Sequence, residues 1–561
     1  MVSSSETLCN RIFENVSSDV PALIECSASM SFSRRYSWAW LEERSKEVAE
    51  NIRASIVPEI NNSNNDNSNS NSNNASIIRD TLPFSIALQC RRETATVNMI
   101  VHMLAVMRLN IPFLFLLLQE KDNPATLPHS LNCQLILDCS SGNIRKTNNQ
   151  TKASTSRKTT SSSTLIKDNM QLDMDRNTTD SSKPAVLYYL ATSGSTGEPR
   201  WIAGTVEGTW NRIMWQLERD KDSDPRQDNI FIAKTSLKFV DCIAEMLVPL
   251  VGGNSLVVVN DGDDTHDEND RNPWRDPRTL LQAMKQCQVT HLVATPTLLK
   301  ELLFVLPNIS DGGQQQQQQR TPMQPSPASL SLRCIHSSGE ALSTNLAQKL
   351  LQEFQIHKLW NLYGSTEVSA DVTAQQVTSN QLQSYDNHNH PFQPVGPPIP
   401  GCTILLLQKV KNSDSGDGSV FLEQTTGEGE IFVLGNHVAN GYIAVEGTAK
   451  NNASSFGWLS ELPRDDAEIQ SHPMQYRFTT ERPQTSTRAP QWCFRTGDIG
   501  RWTSIADSDT SKTTMSLYIE GRCDQVVKLH GTKVPLLQVE AVLRDCCDLD
   551  AVAVVIDRST S

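Results

Sequence analysis

The stretch Val186-Leu-Tyr-Tyr-Leu-Ala-Thr192-Ser-Gly-Ser-Thr-Gly-Glu-Pro-Arg200 runs from an apolar, β-type segment into hydroxyls and glycines, and it decides how the rest of the chain is read. Gly194 and Gly197 permit close approaches that a side chain would block, so backbone N–H groups can turn toward phosphate oxygens. Thr192, Ser193, Ser195 and Thr196 add hydroxyl donors, and Arg200 adds a permanent, fork-shaped cation. No Gly-x-x-x-x-Gly-Lys-Ser/Thr occurs, which excludes a Walker loop. Taken alone, the stretch reads equally as a Ser/Gly-rich surface turn. Taken as a ligand site, it asks for a polyphosphate, and so for a nucleotide.

Five more stretches follow in order: Ser337-Ser-Gly-Glu340, Asn361-Leu-Tyr-Gly-Ser-Thr-Glu367, Gly429-Glu-Ile-Phe-Val-Leu-Gly435 leading to Asn440-Gly-Tyr442, Arg495-Thr-Gly-Asp498, and Gly521-Arg-Cys-Asp-Gln-Val-Val-Lys528. With the first, they resemble the signatures of the adenylate-forming superfamily, which includes acyl-CoA synthetases, luciferases and the adenylation domains of peptide synthetases. The similarity spans roughly residues 186 to 540 and extends more weakly upstream to about Ser37. It implies an α/β fold: a large, multi-subdomain adenylation domain over 1–523, with partly parallel sheets flanked by helices, and the beginning of a small α+β C-terminal domain over 524–561.

Length and composition agree with more than one core. At 561 residues the chain exceeds an ordinary single domain. Its net charge is −13, and six carboxylates crowd into Asp261–Asp270, so much of the imbalance sits in a solvated insertion. Nothing suggests a nucleic-acid-binding surface. The 13 cysteines form no Cys-x-x-Cys pair, and the first residues lack a basic segment followed by an apolar one; the expectation is an intracellular, cytoplasmic protein with reduced thiols. The apolar run Asn98–Leu118 is interrupted by His102, Arg108, Asn110 and Pro112, so it reads as a helix followed by a strand and not as a membrane span.

Low-complexity stretches punctuate the map. Asn61–Asn74 is nearly pure Asn/Ser, 141–183 is rich in Ser, Thr, Lys and Asn, and Gln314–Gln319 is a glutamine tract. Such segments cannot bury enough apolar surface to offset the entropy of ordering. Insertions are therefore expected near 58–76, 141–183, 260–277, 308–327 and 449–489, with shorter ones at 411–418 and 503–514. Between them, Trp40–Ile52 has a helical apolar face. Phe84–Leu88, Ser255–Val259, His291–Ala294 and Leu332–Ile335 read as buried strands, and Pro296–Phe304 as a helix. Gly429–Leu434 and Met515–Ile519 look antiparallel.

In the resembled family a substrate carboxylate attacks the α-phosphate of ATP, leaving an acyl-adenylate and pyrophosphate, and the acyl group then passes to CoA or a phosphopantetheine carrier. The resemblance implies that Thr192, Ser193, Gly194, Ser195, Thr196, Gly197 and Arg200 hold the β- and γ-phosphates, although most relatives carry lysine at the Arg200 position. It implies Glu367 as the Mg²⁺ ligand with Thr366 beside it on the α-phosphate. Read locally, the same residues are a helix start, with Ser365 or Thr366 capping and Glu367 favoured by the helix dipole. Asp498 and Arg522 fall where relatives hold the ribose, Tyr363 where adenine stacks, and Ser338, Gly339 and Glu340 along the base pocket; by itself Thr496-Gly-Asp498 is an ordinary turn. Asp524 falls at the hinge between the two domains.

The acid is less visible. Asp241, in Lys234–Glu245, lies where amino-acid-activating relatives place an aspartate against the substrate ammonium; locally, it reads as a helix cap. The wording most resembles the β-alanine-activating branch, acyl-CoA synthetase family member 4. The resemblance implies a carboxylic or amino acid substrate, in fatty acid or amino acid metabolism. Full-length relatives carry a further lysine that reaches the α-phosphate, and no residue here matches it; loss of such a cation costs about a hundredfold or more in rate. The expectation is a ligase that binds ATP and adenylates poorly. The alternative is an adenylate-binding, non-catalytic regulatory or interaction protein.

Overall fold

A computed structural model of the chain describes residues 4–14, 16, 20–27, 33–63, 85–117, 131, 133–146, 184–192, 200–220, 228–260, 272–310, 330–385, 390–410, 418–425, 427–443, 455–462, 473–483, 489–506, 513–529 and 532–547. Three sheets organise them. An eight-stranded sheet runs in the order Ala370–Val377, Lys358–Ser365, Cys334–Ser337, His291–Ala294, Ile230–Ile232, Ser255–Val259, Leu23–Cys26, Ser33–Tyr36, parallel except at its two edges. A six-stranded sheet, Ile144–Lys146, Cys133–Asp138, Ser85–Cys90, Phe113–Leu117, Val186–Thr192, Arg200–Thr205, has the same plan.

Alternation along the strands sets the layers. Leu23, Leu256 and Val258 face one core, together with Ile86, Leu88 and Phe113 of the second sheet. Ile24, Val257 and Val259 face another. The first core therefore lies between the two sheets, filled by the helices Trp38–Ser63, Val97–Arg108, Val206–Asp220 and Asp241–Val251. Helices Pro277–Gln286, Pro296–Ser310 and Thr344–Glu353 cover the far face of the eight-stranded sheet. Strands buried on both sides must be apolar throughout, which is why Leu-Val-Val-Val at 256–259 reads so plainly.

The third sheet is antiparallel: Gly427–Gly435, Cys402–Lys409, Ser419–Glu423, Gln475–Thr479, Phe456–Glu461, Gln491–Ala506, Thr513–Arg522. Gly427–Gly435 also pairs with Gln491–Ala506, so the sheet curls back on itself. A hairpin, Val526–Leu529 with Thr532–Pro535, and the helix Leu536–Cys547 follow Asp524.

Local signals match. The helix Val97–Arg108 is capped by the Thr96 hydroxyl and gives way at Asn110, φ +57°, to Ile111-Pro112 and the strand Phe113–Leu117. Among the described residues no helix is long and apolar enough to cross a membrane.

Several expected insertions prove partly ordered. Within 449–489, read as an insertion, Phe456–Glu461 and Gln475–Thr479 are paired strands, because Phe456, Leu459, Tyr476 and Phe478 bury themselves in the antiparallel sheet. The helix from Trp38 continues to Ser63, into the Asn-rich stretch, since extending an existing helix carries no nucleation cost. Strands likewise reach into 141–183 at Ile144–Lys146 and into both ends of 503–514, and the helices beginning at Pro277 and ending at Ser310 overlap the neighbouring insertions.

Candidate active site

Ser193, Gly194, Ser195, Thr196 and Gly197 lie outside the described residues. The residues on either side of them, Thr192 and Arg200, pair across an antiparallel hairpin, and the Thr192 hydroxyl donates to the Arg200 carbonyl at 3.1 Å. The Arg200 guanidinium sits 4.4 Å from the centre of the Tyr442 ring. Its Nε is buried and has no hydrogen-bond partner among the described residues, so a fixed cation with a spare donor stands at the base of the loop.

Tyr442 joins this hairpin to Glu367. Its hydroxyl donates to Glu367 Oε1 at 2.6 Å. The backbone of the Asn440-Gly-Tyr442 motif runs along the edge strand: Asn440 N donates to the Ala203 carbonyl at 3.1 Å, Ile443 N to Trp201 at 2.8 Å, and Ala439 N to the Glu367 carbonyl at 2.9 Å. Partial burial and the Glu367 carboxylate push the Tyr442 phenol well up, which keeps it a donor. The sequence marked this motif as a landmark without giving it work; its tyrosine ties Arg200, on the strand Arg200–Thr205, to the turn that carries Glu367.

Glu367 belongs to a 3-10 turn, Thr366–Val368, at the carboxyl end of the strand Lys358–Ser365. The expected cap is not made by Ser365, which precedes the turn but makes no side-chain cap bond, and its Oγ is buried without a hydrogen-bond partner among the described residues. The chain here is tightly folded, with Ser369 and Ala370 at φ +58° and +79°. A Cβ on Gly364 would lie 1.6 Å from the Ala370 carbonyl oxygen, so only glycine fits there.

A second cluster forms around Asp498. Tyr363 donates its hydroxyl to Asp498 Oδ2 at 2.7 Å, and Arg522 Nη1 lies 3.2 Å from Oδ1. Burial raises the Asp498 carboxyl, and the Tyr363 and Arg522 contacts oppose that rise. Thr496-Gly-Asp498 is part of the long strand Gln491–Ala506 and not a free turn. Arg495 grips Glu430 with two bonds of 2.6 and 2.8 Å, and the Thr496 hydroxyl donates to the Ile431 carbonyl, so two of the sequence motifs lock face to face. Gly497 has φ +78°, and a Cβ there would stand 3.0 Å from Arg522 Nη2. Asp524 is exposed and 3.2 Å from Arg522 Nε.

The third cluster is buried. Arg212, on the helix Val206–Asp220, bonds Asp371 Oδ2 through Nε at 3.0 Å and Nη2 at 2.7 Å, with both side chains 2% exposed. Ser338 donates to the other Asp371 oxygen at 2.8 Å. Ser338 thus serves this ion pair, while Glu340 accepts from Thr297 N and Oγ1 and caps the helix Pro296–Ser310; neither side chain is held by the nucleotide cluster. Gly339 has φ +85° between them. Asp371 escaped the sequence reading, and no local signal marked it, since its partner Arg212 lies 159 positions away.

Asp241 is the first residue of the helix Asp241–Val251, and Val240 occupies the cap position with no side-chain bond, so Asp241 is not the cap expected locally. Burial, then Asp371 and Glu245, push its carboxyl upward, against the pull of Arg212 and Lys234. Beside it a cavity of ≈ 10 Å³, counted as space for the centre of a water molecule, is lined by Tyr188, Thr209, Arg212, Val240, Ala244 and Ala370 among others. Such a space holds about one water, or the end of a short chain.

Comparison with known proteins fits this geometry. Residues 95–443 match the family model of the AMP-binding enzyme. The chain belongs to the AMP-binding enzyme family. Within it, the chain is 31% identical over 362 residues to the beta-alanyl-bioamine nonribosomal peptide synthetase ebony of Drosophila melanogaster, covering 63% of this chain and 32% of that protein. It is 24% identical over 370 residues to the D-alanine--D-alanyl carrier protein ligase of Bacillus cytotoxicus, covering 66% and 56%. The chain therefore spans about half or less of these curated relatives. The fold is that of NpsA from Klebsiella oxytoca, solved with 3-hydroxyanthranilyl-AMSN, at a TM-score of 0.56 and 15% identity, over 100% of this chain and 88% of that one.

Proposed function

We propose that this chain activates a short amino acid, with β-alanine the first candidate, by adenylation with ATP·Mg²⁺ ahead of thioester formation on CoA or a phosphopantetheine carrier. The observation that carries the reading is the bridge Arg200–Tyr442–Glu367, which holds a spare cationic donor over the ring face and a partly exposed carboxylate at the hydroxyl of one tyrosine. Arg200 and the loop from Thr192 through Ser193, Gly194, Ser195, Thr196 and Gly197 would bind the β- and γ-phosphates. Glu367, an oxygen ligand with Oε1 fixed by Tyr442, suits Mg²⁺. Bound there, the ion would offset phosphate charge as the substrate carboxylate approaches. Thr366 stands beside it for the α-phosphate. Asp498, held by Tyr363 and Arg522, would accept the ribose hydroxyls, and Asp524 would serve as hinge between the large domain over 1–523 and the small one after it.

For the acid, charge decides. Asp371 is already neutralised by Arg212, whereas the raised Asp241 carboxyl lacks a full counter-charge, so a substrate ammonium is drawn to Asp241. The likeness to ebony, whose name specifies a β-alanyl product, supports the same acid. Pyrophosphate exchange into ATP, measured over a panel of β-alanine, α-alanine, propionate and a long-chain fatty acid, tests this. β-Alanine should give the highest exchange; equal exchange with propionate would remove the ammonium from the argument, and a preference for the fatty acid would overturn the substrate class.

A further inference from the structure

A second group of ligand-type side chains sits at the opposite end of the eight-stranded sheet from Glu367. Cys334 and His336 alternate at the start of the strand Cys334–Ser337 and so leave the same face of the sheet. Asp220, at the end of the helix Val206–Asp220, closes over them. The three are 1%, 0% and 3% exposed. Asp220 Oδ1 lies 3.1 Å from His336 Nε2 and 3.6 Å from Cys334 Sγ, and one ligand-type atom from each residue lies within 4.8 Å of the other two.

An ordinary buried Asp–His pair would align the ring N–H with the carboxylate. Here Nε2 lies beside the carboxylate yet is buried and makes no well-aligned hydrogen bond among the described residues, while the other ring nitrogen, Nδ1, lies 3.9 Å from Cys334 Sγ. The remaining carboxylate oxygen, Oδ2, is oriented by Gln216 Nε2 at 3.1 Å, the outer-shell contact that metal-binding carboxylates use. Asp220 also lines a cleft of ≈ 540 Å³ with Asn211, Trp215, Asn229, Phe231 and Gly401, which supplies access and room for water.

We infer that Asp220, Cys334 and His336 bind one transition-metal ion of the Zn²⁺ type, with its fourth position facing the cleft. Metal–ligand lengths of about 2.0–2.3 Å in a tetrahedron require ligand separations of about 3.3–3.6 Å, close to the two edges made by Asp220. A thiolate with an imidazole selects such an ion over Mg²⁺ or Ca²⁺. On binding, the Cys334 thiol gives its proton to water and its sulfur bonds the metal; no electrons are transferred. The ion pins the end of the helix to the sheet, and through Gln216, whose Oε1 accepts from Arg212 Nη1 at 2.7 Å, it steadies the Arg212–Asp371 pair.

The test uses the full chain, stripped with a chelator, desalted and offered Co²⁺ or Zn²⁺. The expected result is uptake of about one ion per chain, a thiolate-to-Co²⁺ charge-transfer band, and a higher melting temperature with Zn²⁺. Cys334→Ser should lose the band. Gln216→Leu, which leaves all three ligands in place but removes the contacts to Asp220 Oδ2 and Arg212 Nη1, should keep the band but bind about 10–100-fold more weakly. Reloaded wild-type protein without the band overturns the inference. So does a band that survives Cys334→Ser, since it would belong to another of the chain's 13 cysteines. The wild-type reading stands even if a variant fails to fold, and no readout is an activity, so the result is independent of the acyl-adenylate reading.

Discussion

Two neighbouring parts of the site are held in different ways. Around Glu367 and Asp498, half-buried side chains from separate segments meet by single hydrogen bonds: Tyr442 on Glu367, Tyr363 on Asp498, and the Arg200 guanidinium over a tyrosine ring. Around Asp371 the groups are sealed from water and fully paired, with Arg212 linking Asp371 to Gln216. A buried pair is costly to break because the survivor keeps its charge in a poor solvent. The half-buried network costs little to disturb but aims the groups that would meet the nucleotide. Changes in the first should therefore read as lost stability, and changes in the second as lost rate.

The largest expected effect is Arg212→Met, which strands Asp371 and should lower unfolding free energy by about 3–5 kcal/mol in urea titrations. Replacing both partners with apolar residues should recover most of that loss. If the single change cost under about 1 kcal/mol, the two regions would not differ in kind. Next, Glu367→Gln should reduce acid-dependent pyrophosphate exchange by about a hundredfold while leaving the urea midpoint nearly unchanged. Equal losses of stability and rate would erase the contrast.

Asp241 sharpens the comparison through pH. Its carboxyl is raised from 3.8 to about 7, so the folded state holds the proton more tightly than the unfolded one. The stability tied to that proton is present below the unfolded value and is lost as pH rises toward 7. Asp241→Asn should thus be more stable than wild type at pH 8 and equal to it near pH 3, as thermal melts at the two pH values would show. The same substitution should raise the KM for an amino acid substrate by tenfold or more. Wild-type KM should fall as pH rises through about 7, where the carboxylate forms, and the variant should lack that dependence. The smallest effect is expected for Tyr442→Phe, which keeps the ring under Arg200 but frees Glu367: about a tenfold loss of exchange, with the melting temperature within a few degrees of wild type.

The sequence displayed the parallel core because strands buried on both faces are written as unbroken apolar runs, as at Leu256–Val259. It also displayed the helix–strand division at Pro112. It hid the strands Phe456–Glu461 and Gln475–Thr479, whose short apolar alternations are surrounded by polar residues. Among the candidate site residues, Glu367, Asp498, Arg522, Tyr363 and Arg200 were proposed from the motifs they resemble. Asp371 was not, because a lone aspartate in Ser-Ala-Asp-Val carries no pattern, and its importance comes from an arginine 159 positions away.

By itself the sequence determined the alternation of buried strands and helices, through local composition and spacing, and the family, through the resemblance carried by its ordered motifs. Only the tertiary structure decided that Tyr442 joins Arg200 to Glu367, that Ser338 serves Asp371, and that Asp220 closes over Cys334 and His336. Local rules place a side chain on a face of its own element. Its partner depends on which other face arrives there, and that is fixed by packing across long stretches of chain.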